Sequence, residues 1–314
     1  MRHLALIALA AAVAFASGCV EDNAAYMTSE RMNNGLVVIL PGIEGESAAN
    51  REVRSALDAS GVDRALPIWH WGVPIPGAGM IINQIDFGGN RLRAKRIADR
   101  IVKYQDEHPG RPVHLVGHSG GGGIAVLAAE QLPEGRKVDG LVLLSASISI
   151  AHDVTKALKN CRSGIVNFYN RGDAALLGVG TTILGNVDGR HGPSAGLLGF
   201  DPPGASASDE TRLTYSKLFQ VELSGPMISE DLGGAHFSTT RYGFVLVYVS
   251  PWVRNPDWPA DQTGTVRRSE VLMLTAARTI QLLRPTTETQ ATTKAHGLAG
   301  SSVTRVPIIG FASP

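Results

Sequence analysis

The chain has 314 residues, of which 44% are hydrophobic and 18% are charged. This is enough apolar material for a sizeable core and too little charge for a disordered chain. The 29 basic and 28 acidic side chains leave a formal net charge of +1, whereas an electrostatic nucleic-acid binder is expected to carry a basic excess. Two cysteines exclude a disulfide-rich scaffold, and the sequence contains no C-x-x-C zinc pattern.

The first residues have the pattern of a secretion signal. A basic start, Met1–His3, precedes an apolar run from Leu4 to Ala16 that is too short to span a bilayer. The run ends in Ala16-Ser17-Gly18-Cys19, which resembles a bacterial lipobox. The resemblance implies a signal peptide over residues 1–18, cleavage before Cys19 and acylation of this cysteine. An ordinary secretory signal cleaved nearby is the alternative, because small residues before the cleavage site suit both.

A lipid on Cys19 would anchor the mature protein to a membrane of the bacterial cell envelope, on its periplasmic or surface side. We expect no transmembrane helix, because no later stretch of the sequence is long and apolar enough. With Cys19 acylated, Cys161 has no partner within the chain and is expected to be a small buried hydrophobe.

Apolar runs alternate with helical patterns through most of the chain. Strands are predicted at 36–40, 66–71, 113–117, 138–145, 165–169 and 217–223. Helices are predicted at 48–60, 91–107, 121–132, 152–160 and 240–249. In the helix at 91–107, the side chains of Leu92, Ile97, Ile101 and Tyr104 are expected to face inward. The helix at 240–249 is expected to end before Pro251. This alternation predicts an α/β fold, with a mostly parallel central sheet and helices on both faces.

Three segments fall outside the alternation. Residues 72–90 are rich in glycine and proline and are predicted to be a loop. Residues 178–204 contain eight glycines and are predicted to be a lid-like insertion beside the pocket. Residues 285–314 are predicted to be a flexible C-terminal tail. We therefore expect one domain over residues 35–284.

The most specific signal lies between the predicted strand 113–117 and helix 121–132. Gly117-His118-Ser119-Gly120-Gly121 has the pattern G-x-S-x-G. A serine at the apex of a sharp strand-to-helix turn has a strained backbone, and its neighbours pass so close that glycine is needed beside it. The N–H groups at the start of the following helix favour a negative charge that develops near the serine. The alternative is a glycine-rich turn without chemistry.

From about residue 35 to residue 250, the chain resembles the α/β-hydrolase family. The resemblance implies that Ser119 is the nucleophile and that an acid and then a histidine follow it along the chain. It also implies an oxyanion hole formed by the N–H of Gly120 and by an N–H from the loop after strand 36–40. By resemblance the donor in this loop is the residue after Gly42, namely Ile43. Glu44 is the alternative, because the loop lacks the His-Gly-Gly-Gly form of some lipases.

His236 is the predicted general base, because it lies on a loop after the last core strand and follows Gly233, Gly234 and Ala235. His191, in the glycine-rich insertion, is the runner-up. The remaining two histidines after the motif are less suitable. His152 follows the strand after the serine and comes too early in the chain, and His296 lies in the polar tail.

Asp173 is the predicted acid, because it follows strand 165–169, where a carboxylate can orient an imidazole. An aspartate at such a place can also form a turn or cap a helix. Asp188, Asp153 and Asp201 are the alternatives.

Together these residues predict a serine hydrolase that cleaves carboxylic esters, as lipases and esterases do, through an acyl-enzyme. The expected substrate is a small-molecule or lipid ester. We expect no metal and no organic cofactor, since the sequence has no metal-ligand spacing and no phosphate-binding loop. Hydrolysis of thioesters or peptides by the same triad is an alternative. A non-catalytic envelope lipoprotein that uses this fold as a binding module is another.

Overall fold

The computed structural model describes residues 23–73, 75, 78–173, 184–224, 227–228, 234–256 and 258. The predicted signal peptide, Cys19, His296 and the predicted tail over residues 285–314 all lie outside the described residues. Of the predicted domain over residues 35–284, the part up to residue 258 is therefore described, with gaps. None of the helices described in these ranges is both long and apolar enough to cross a membrane.

The centre of the fold is a parallel five-stranded sheet, whose strands lie side by side in chain order. The strands are β1 (Leu36–Leu40), β2 (Val113–His118), β3 (Val138–Leu144), β4 (Cys161–Tyr169) and β5 (Leu218–Glu222). β1 and β2 are buried along their whole length, as expected for strands that are covered on both faces. The prediction of an α/β fold with a parallel central sheet is confirmed.

Helices cover both faces of this sheet. They are α1 (Ser29–Asn34), α2 (Ala48–Ala59), α3 (Ala78–Ile85), α4 (Phe87–Glu107), α5 (Gly120–Glu130), α6 (Thr155–Lys159), α7 (Ala195–Leu198), α8 (Asp209–Tyr215), α9 (Gly234–Phe237), α10 (Tyr242–Phe244) and α11 (Ser250–Arg254). Short 3₁₀ helices lie at Asn23–Tyr26 and Ser238–Thr240, and a π-helical turn lies at Val245–Val249.

Two hydrophobic cores enclose the sheet, one on each face. Successive residues of β1 point to opposite faces, so that Val37 shares a core with α2 and α11, and Val38 shares the other with α4 and α5. Because both faces are covered, the carboxyl ends of the strands form the edge at which a site can be built.

The prediction of a strand at Leu66–Trp71 is wrong, because this segment does not form a regular strand. Its segment pairs with β1 only through isolated parallel bridges, Leu36 with Ala65 and Ile39 with Ile68. Pro67 lies between these bridges and has no N–H to donate, so a continuous ladder cannot form. The segment still covers the edge of β1, because the N–H of Ile39 donates to the carbonyl of Pro67 at 2.9 Å.

The predicted loop over residues 72–90 is wrong in its second half, which is helical. It contains α3, and α4 begins at Phe87 instead of residue 91. Asp86 caps the start of α4, since its Oδ1 accepts a hydrogen bond from the N–H of Gly89 at 3.0 Å. The glycines of this segment therefore lie inside helices as well as turns.

Leu92 was expected to face inward with Ile97, Ile101 and Tyr104, and this expectation is wrong for Leu92. Its side chain is 64% exposed, whereas the other three are buried. Ile97 lies five positions after Leu92, and this step turns the helix by about 140°, so the two side chains lie on different faces.

The helix predicted to stop before Pro251 continues through it. α11 begins at Ser250, directly after the π-helical turn. Pro251 has no N–H to offer the preceding turn, and the hydroxyl of Ser250 donates instead to the carbonyl of Leu246 at 2.8 Å. The serine side chain therefore helps to satisfy the turn that the proline would otherwise interrupt.

The described part of the glycine-rich insertion, residues 184–204, packs onto the core. The N–H of Ala195 donates to the carbonyl of Ile148 at 2.7 Å, and the carbonyl of Ala195 accepts from the side chain of Asn167 on β4 at 2.9 Å. This part of the predicted lid is thus attached to the sheet. Residues 178–183 of the insertion lie outside the described residues.

Cys161 is fully buried on β4, as predicted. Burial raises the pKa of its thiol to about 12. The thiol is therefore protonated at physiological pH and behaves as a small core hydrophobe.

The junction between β2 and α5 is packed backbone against backbone. A Cβ on Gly121 would lie 2.2 Å from the carbonyl oxygen of Leu40 and 2.3 Å from that of Pro41. A Cβ on Gly117 would lie 2.5 Å from the carbonyl oxygen of Gly121. The two outer glycines of the G-x-S-x-G motif are therefore required by close approaches of the main chain.

We expect Gly121→Ala to lower the free energy of unfolding by about 2–3 kcal/mol, because the new methyl group must push α5 away from the end of β1. Urea denaturation of the purified protein measures this change. Gly88→Ala is the matched control, because a Cβ on Gly88 meets no atom within 4 Å and the residue lies in α4. Wild-type stability of Gly121→Ala would contradict the steric argument.

Candidate active site

Ser119 lies at the sharp turn between β2 and α5, with a φ of 53°. A non-glycine residue at positive φ is strained and persists only where its surroundings hold it. Here the N–H of Ser119 donates to the carbonyl of Leu144 at 2.9 Å, and its carbonyl accepts from the N–H of Gly122 at 3.0 Å and of Ser147 at 2.9 Å. These bonds hold the turn between the ends of β2 and β3.

Asp173 and His236, which are 63 positions apart in the chain, meet in the fold. Nδ1 of His236 lies 2.5 Å from Oδ2 of Asp173, and both residues are buried. Asp173 follows the end of β4 in a turn in which its N–H donates to the carbonyl of Asn170 at 3.0 Å. A carboxylate on Nδ1 fixes the orientation of the ring and leaves Nε2 as the nitrogen that can exchange a proton.

The helical turn that carries His236 is attached to the sheet and to the turn between β2 and α5 that contains Ser119, which we call the elbow. The ring of His118, the residue before Ser119, lies 4.9 Å from the ring of His236, centroid to centroid. The hydroxyls of Thr239 and Ser145, which follow His236 and β3 respectively, are 3.2 Å apart. His236 is therefore held next to the turn that contains Ser119.

His118 is a neutral imidazole beside His236. Burial and the proximity of His236 lower its pKa well below the usual range. Nε2 of His118 lies 3.4 Å from the carbonyl oxygen of His236, and its Nδ1 has no hydrogen-bond partner among the described residues. A ring that donates through Nε2 and leaves Nδ1 bare is the neutral tautomer, which is consistent with the lowered pKa.

The loop after β1 reaches the start of α5 through Ile43. The backbone nitrogen of Ile43 lies 3.5 Å from the position of a Cβ on Gly120, and its Cγ2 lies 2.7 Å from the same point. The side chain of Asn83 on α3 donates to the carbonyl of Ile43 at 2.9 Å and fixes the loop. The two residues expected to donate to an oxyanion, Ile43 and Gly120, are thus neighbours in the fold.

Glu44, the alternative donor, is engaged with its own side chain. The N–H groups of Glu44 and Gly42 lie near its carboxylate and act to lower the pKa of this group, whereas burial raises it. An N–H that lies near a carboxylate is less available to a substrate oxygen, and this favours Ile43 as the donor.

Asp188, the first alternative acid, lies on a different histidine. Its Oδ2 is 3.0 Å from Nδ1 of His152, and Oε1 of Glu130 is 2.8 Å from Nε2 of the same ring. Burial disfavours a charge on His152, but the hydrogen bonds to Asp188 and Glu130 outweigh it and raise the pKa of His152 to about 9. His152 is therefore an imidazolium at neutral pH, held on both nitrogens.

The remaining candidates also lie apart from His236. Oδ1 of Asp153 accepts from the N–H of Thr155 at the start of α6, at 2.9 Å. Asp201 is exposed, and so is His191, which lies beside Gly185. Within the described ranges, no group of three His, Cys, Asp or Glu side chains could hold a metal ion.

Two features of this region were not predicted from the sequence. His118 occupies only the variable position of the motif, and no sequence pattern predicts the Glu130–His152–Asp188 cluster. The motif could have indicated His118, since a residue beside the serine must lie near the base. No spacing in the sequence indicates the cluster, because its members come from three separate segments.

A family model supports the resemblance to hydrolases. Residues 96–173, from the middle of α4 to Asp173, match the Hydrolase_4 family, described as serine aminopeptidase S33. The resemblance to α/β-hydrolases is thereby confirmed over this segment, which contains Ser119 and Asp173, and hydrolysis is supported as the general class of reaction. A search of the curated proteins found no match.

Three solved structures are similar to the chain at low identity. A dienelactone hydrolase from Anabaena variabilis is 16% identical, with a TM-score of 0.41 over 70% of this chain and 86% of its own. A predicted CIB-like hydrolase from Thermoplasma acidophilum is 14% identical, with a TM-score of 0.41 over 73% and 89%. A cutinase-like protein from Cryptococcus sp. is 17% identical, with a TM-score of 0.39 over 73% and 98%.

We expect the Glu130–His152–Asp188 cluster to make the free energy of unfolding depend on pH. The pKa of His152 in the folded protein, about 9, lies above the ordinary value of 6.5. The stabilisation by this charged histidine is therefore complete below pH 6.5 and is lost as the pH rises through 9. The loss is on the order of 3 kcal/mol. Urea denaturation across this pH range measures it, and His152→Gln should flatten the curve. His70→Gln, at a largely exposed histidine, is the control and should leave the curve unchanged. Equal slopes for wild type and His152→Gln would contradict the assignment.

Proposed function

We propose that this α/β-hydrolase is a serine hydrolase that cleaves carboxylic esters, with Ser119 as nucleophile, His236 as general base and Asp173 as the acid that orients it. The observation that carries the proposal is the buried 2.5 Å contact between His236 Nδ1 and Asp173, next to a serine held at positive φ. A strained serine beside an oriented imidazole is the arrangement that nucleophilic acyl transfer needs.

In the proposed reaction, Oγ of Ser119 attacks the acyl carbon while Nε2 of His236 takes the hydroxyl proton. Asp173 keeps the ring in the required tautomer and stabilises the imidazolium that forms. The N–H groups of Ile43 and Gly120 bind the negative oxygen of the tetrahedral intermediate. His236 then returns the proton to the departing alcohol, and water activated by the same histidine releases the acid from Ser119.

The surroundings of Gly120 support an apolar group on the substrate. The side chain of Ile43 and the ring of Trp71 both lie against this glycine, at 2.7 and 3.2 Å from the position of a Cβ. An acyl or alcohol group of moderate size would be in contact with these side chains. The proposed substrate is accordingly a small-molecule or lipid ester, hydrolysed without a cofactor.

Ser119→Ala should abolish acyl-enzyme formation, with a loss of turnover on the order of 10⁶, and His236→Ala should cause similar damage, because the two act as a unit. Asp173→Asn should be milder but still severe, since it leaves His236 in the wrong tautomer. Hydrolysis of a p-nitrophenyl ester by protein free of host esterases measures these rates.

Asp188→Asn is the matched control for the acid, because Asp188 binds His152 and not His236. It should keep turnover close to that of wild type. A crippled Asp188→Asn beside an active Asp173→Asn would reverse the assignment of the acid. More than about a hundredth of wild-type turnover in Ser119→Ala would refute the nucleophile.

We also propose that Cys19 carries the lipid anchor implied by the lipobox-like sequence before it, which places the enzyme in the bacterial cell envelope. Cys19→Ser should therefore move the protein from the membrane fraction to the soluble periplasmic fraction or the medium. Mass spectrometry of the mature wild-type protein is the check, and an unmodified Cys19 would disprove the anchor.

A further inference from the structure

Glu44 places a second carboxylate beside the proposed active site. It lies in the loop after β1, one residue beyond Ile43, whose backbone nitrogen and side chain are against Gly120. The carboxylate folds back over Gly42, since a Cβ on this glycine would lie 2.1 Å from Oε2 of Glu44. The side chain is therefore directed back along its own loop, and the residue is half-buried.

The orientation of this carboxylate is fixed by its neighbours. The hydroxyl of Ser47 donates to Oε1 at 3.5 Å, and the N–H groups of Gly42 and Glu44 lie near enough to favour the charged form. These groups hold the side chain in place and partly oppose the effect of burial, which favours the neutral carboxyl. A cation that binds beside Glu44 favours the ionised carboxylate.

The charge of Glu44 has little compensation within the described residues. The one ionisable side chain that acts on it is His236, which Asp173 already contacts. Burial raises the pKa of Glu44 above its usual range, while the backbone N–H groups and His236 act in the opposite direction. A partly buried carboxylate in this position is stabilised by any cation that enters the site.

Glu46, two residues further along the same loop, shows the contrast. Its Oε2 lies 3.2 Å from Nε2 of His70 and its Oε1 lies 3.6 Å from Arg51. The charge of Glu46 is therefore paired within the protein, whereas Glu44 forms no ion pair with the described residues. The two carboxylates share a loop but differ in what they can offer a ligand.

We propose that Glu44 is a specificity-determining residue whose carboxylate binds a cationic group carried by the substrate near the scissile carbonyl. The inference rests on the proposed ester hydrolysis and names the substrate class more closely: esters whose acyl or alcohol part bears an ammonium group. A cation next to Glu44 gains a charge–charge attraction in a partly desolvated site, and an anion at the same place is repelled.

The test compares two p-nitrophenyl esters of the same shape, one of trimethylammonio-butanoate and one of its neutral tert-butyl isostere. The measured quantity is the ratio of kcat/KM for the cationic ester to that for the neutral ester. The wild-type protein should prefer the cationic ester by about tenfold, and Glu44→Gln should bring the ratio close to one. Glu46→Gln is the matched control and should keep the wild-type ratio.

A wild-type ratio at or below one would overturn the inference, and so would a Glu44→Gln ratio equal to that of wild type. Glu44→Ala replaces the glutamine variant if that protein does not fold. An organophosphonate probe of Ser119 distinguishes a failure of the role of Glu44 from a failure of the proposed ester hydrolysis. Labelled, active protein without charge preference would overturn the role of Glu44 alone, whereas no labelling and no turnover would overturn the proposed function and this inference with it.

Discussion

The close contact between two pieces of backbone, the start of α5 and the end of β1, is the constraint on which the rest of the site depends. Gly121 lies so near the carbonyl oxygens of Leu40 and Pro41 that no side chain fits between them. Since the loop after Pro41 leaves from this contact, it begins beside the elbow and places Ile43 against Gly120. One steric condition therefore brings Ser119 and the loop of the proposed oxyanion hole together.

The register of the sheet extends this arrangement to Asp173. His118 pairs with Leu144, and Leu144 pairs with Phe168, so β2, β3 and β4 end at the same level. The chain beyond β4 consequently reaches Asp173 next to the turn that holds Ser119. A slip of one residue in this register would reverse the faces of every side chain on the strand. The two buried cores, which need each strand residue on its own side, oppose such a slip.

The five strands of the sheet and the elbow could be predicted from the sequence because their signals are local. Continuous apolar runs predict strands buried on both faces, and the glycines of the motif follow from close contacts of the main chain. Asp173 and His236 were chosen from chain order, which the resemblance supplied, and the structure brings them into contact. The parallel sheet and the pairing of Asp173 with His236 could therefore be predicted from the sequence together with the resemblance.

Other features depend on contacts that no local pattern encodes. α3 was missed because its glycine-rich sequence is typical of a loop, while its stability comes from contacts such as that of Asn83 with Ile43. Pro251 was expected to end a helix, but the hydroxyl of Ser250 compensates for the missing donor. Asp188 could not be separated from Asp173 as the acid, because His152, its partner, lies 36 positions away.

Three histidines, His118, His152 and His236, differ in how many carboxylates contact the imidazole ring. This number decides whether each ring is neutral, permanently charged or able to exchange a proton. His118 has none, and burial and the neighbouring His236 keep it neutral. His152 has one on each nitrogen, so its charge is fixed and neither nitrogen is free to exchange a proton with a ligand. His236 has a single carboxylate, on Nδ1, which orients the ring and stabilises a positive charge without occupying Nε2. Of the three, His236 has the surroundings that a general base requires, because a base must be able to gain a proton and give it back.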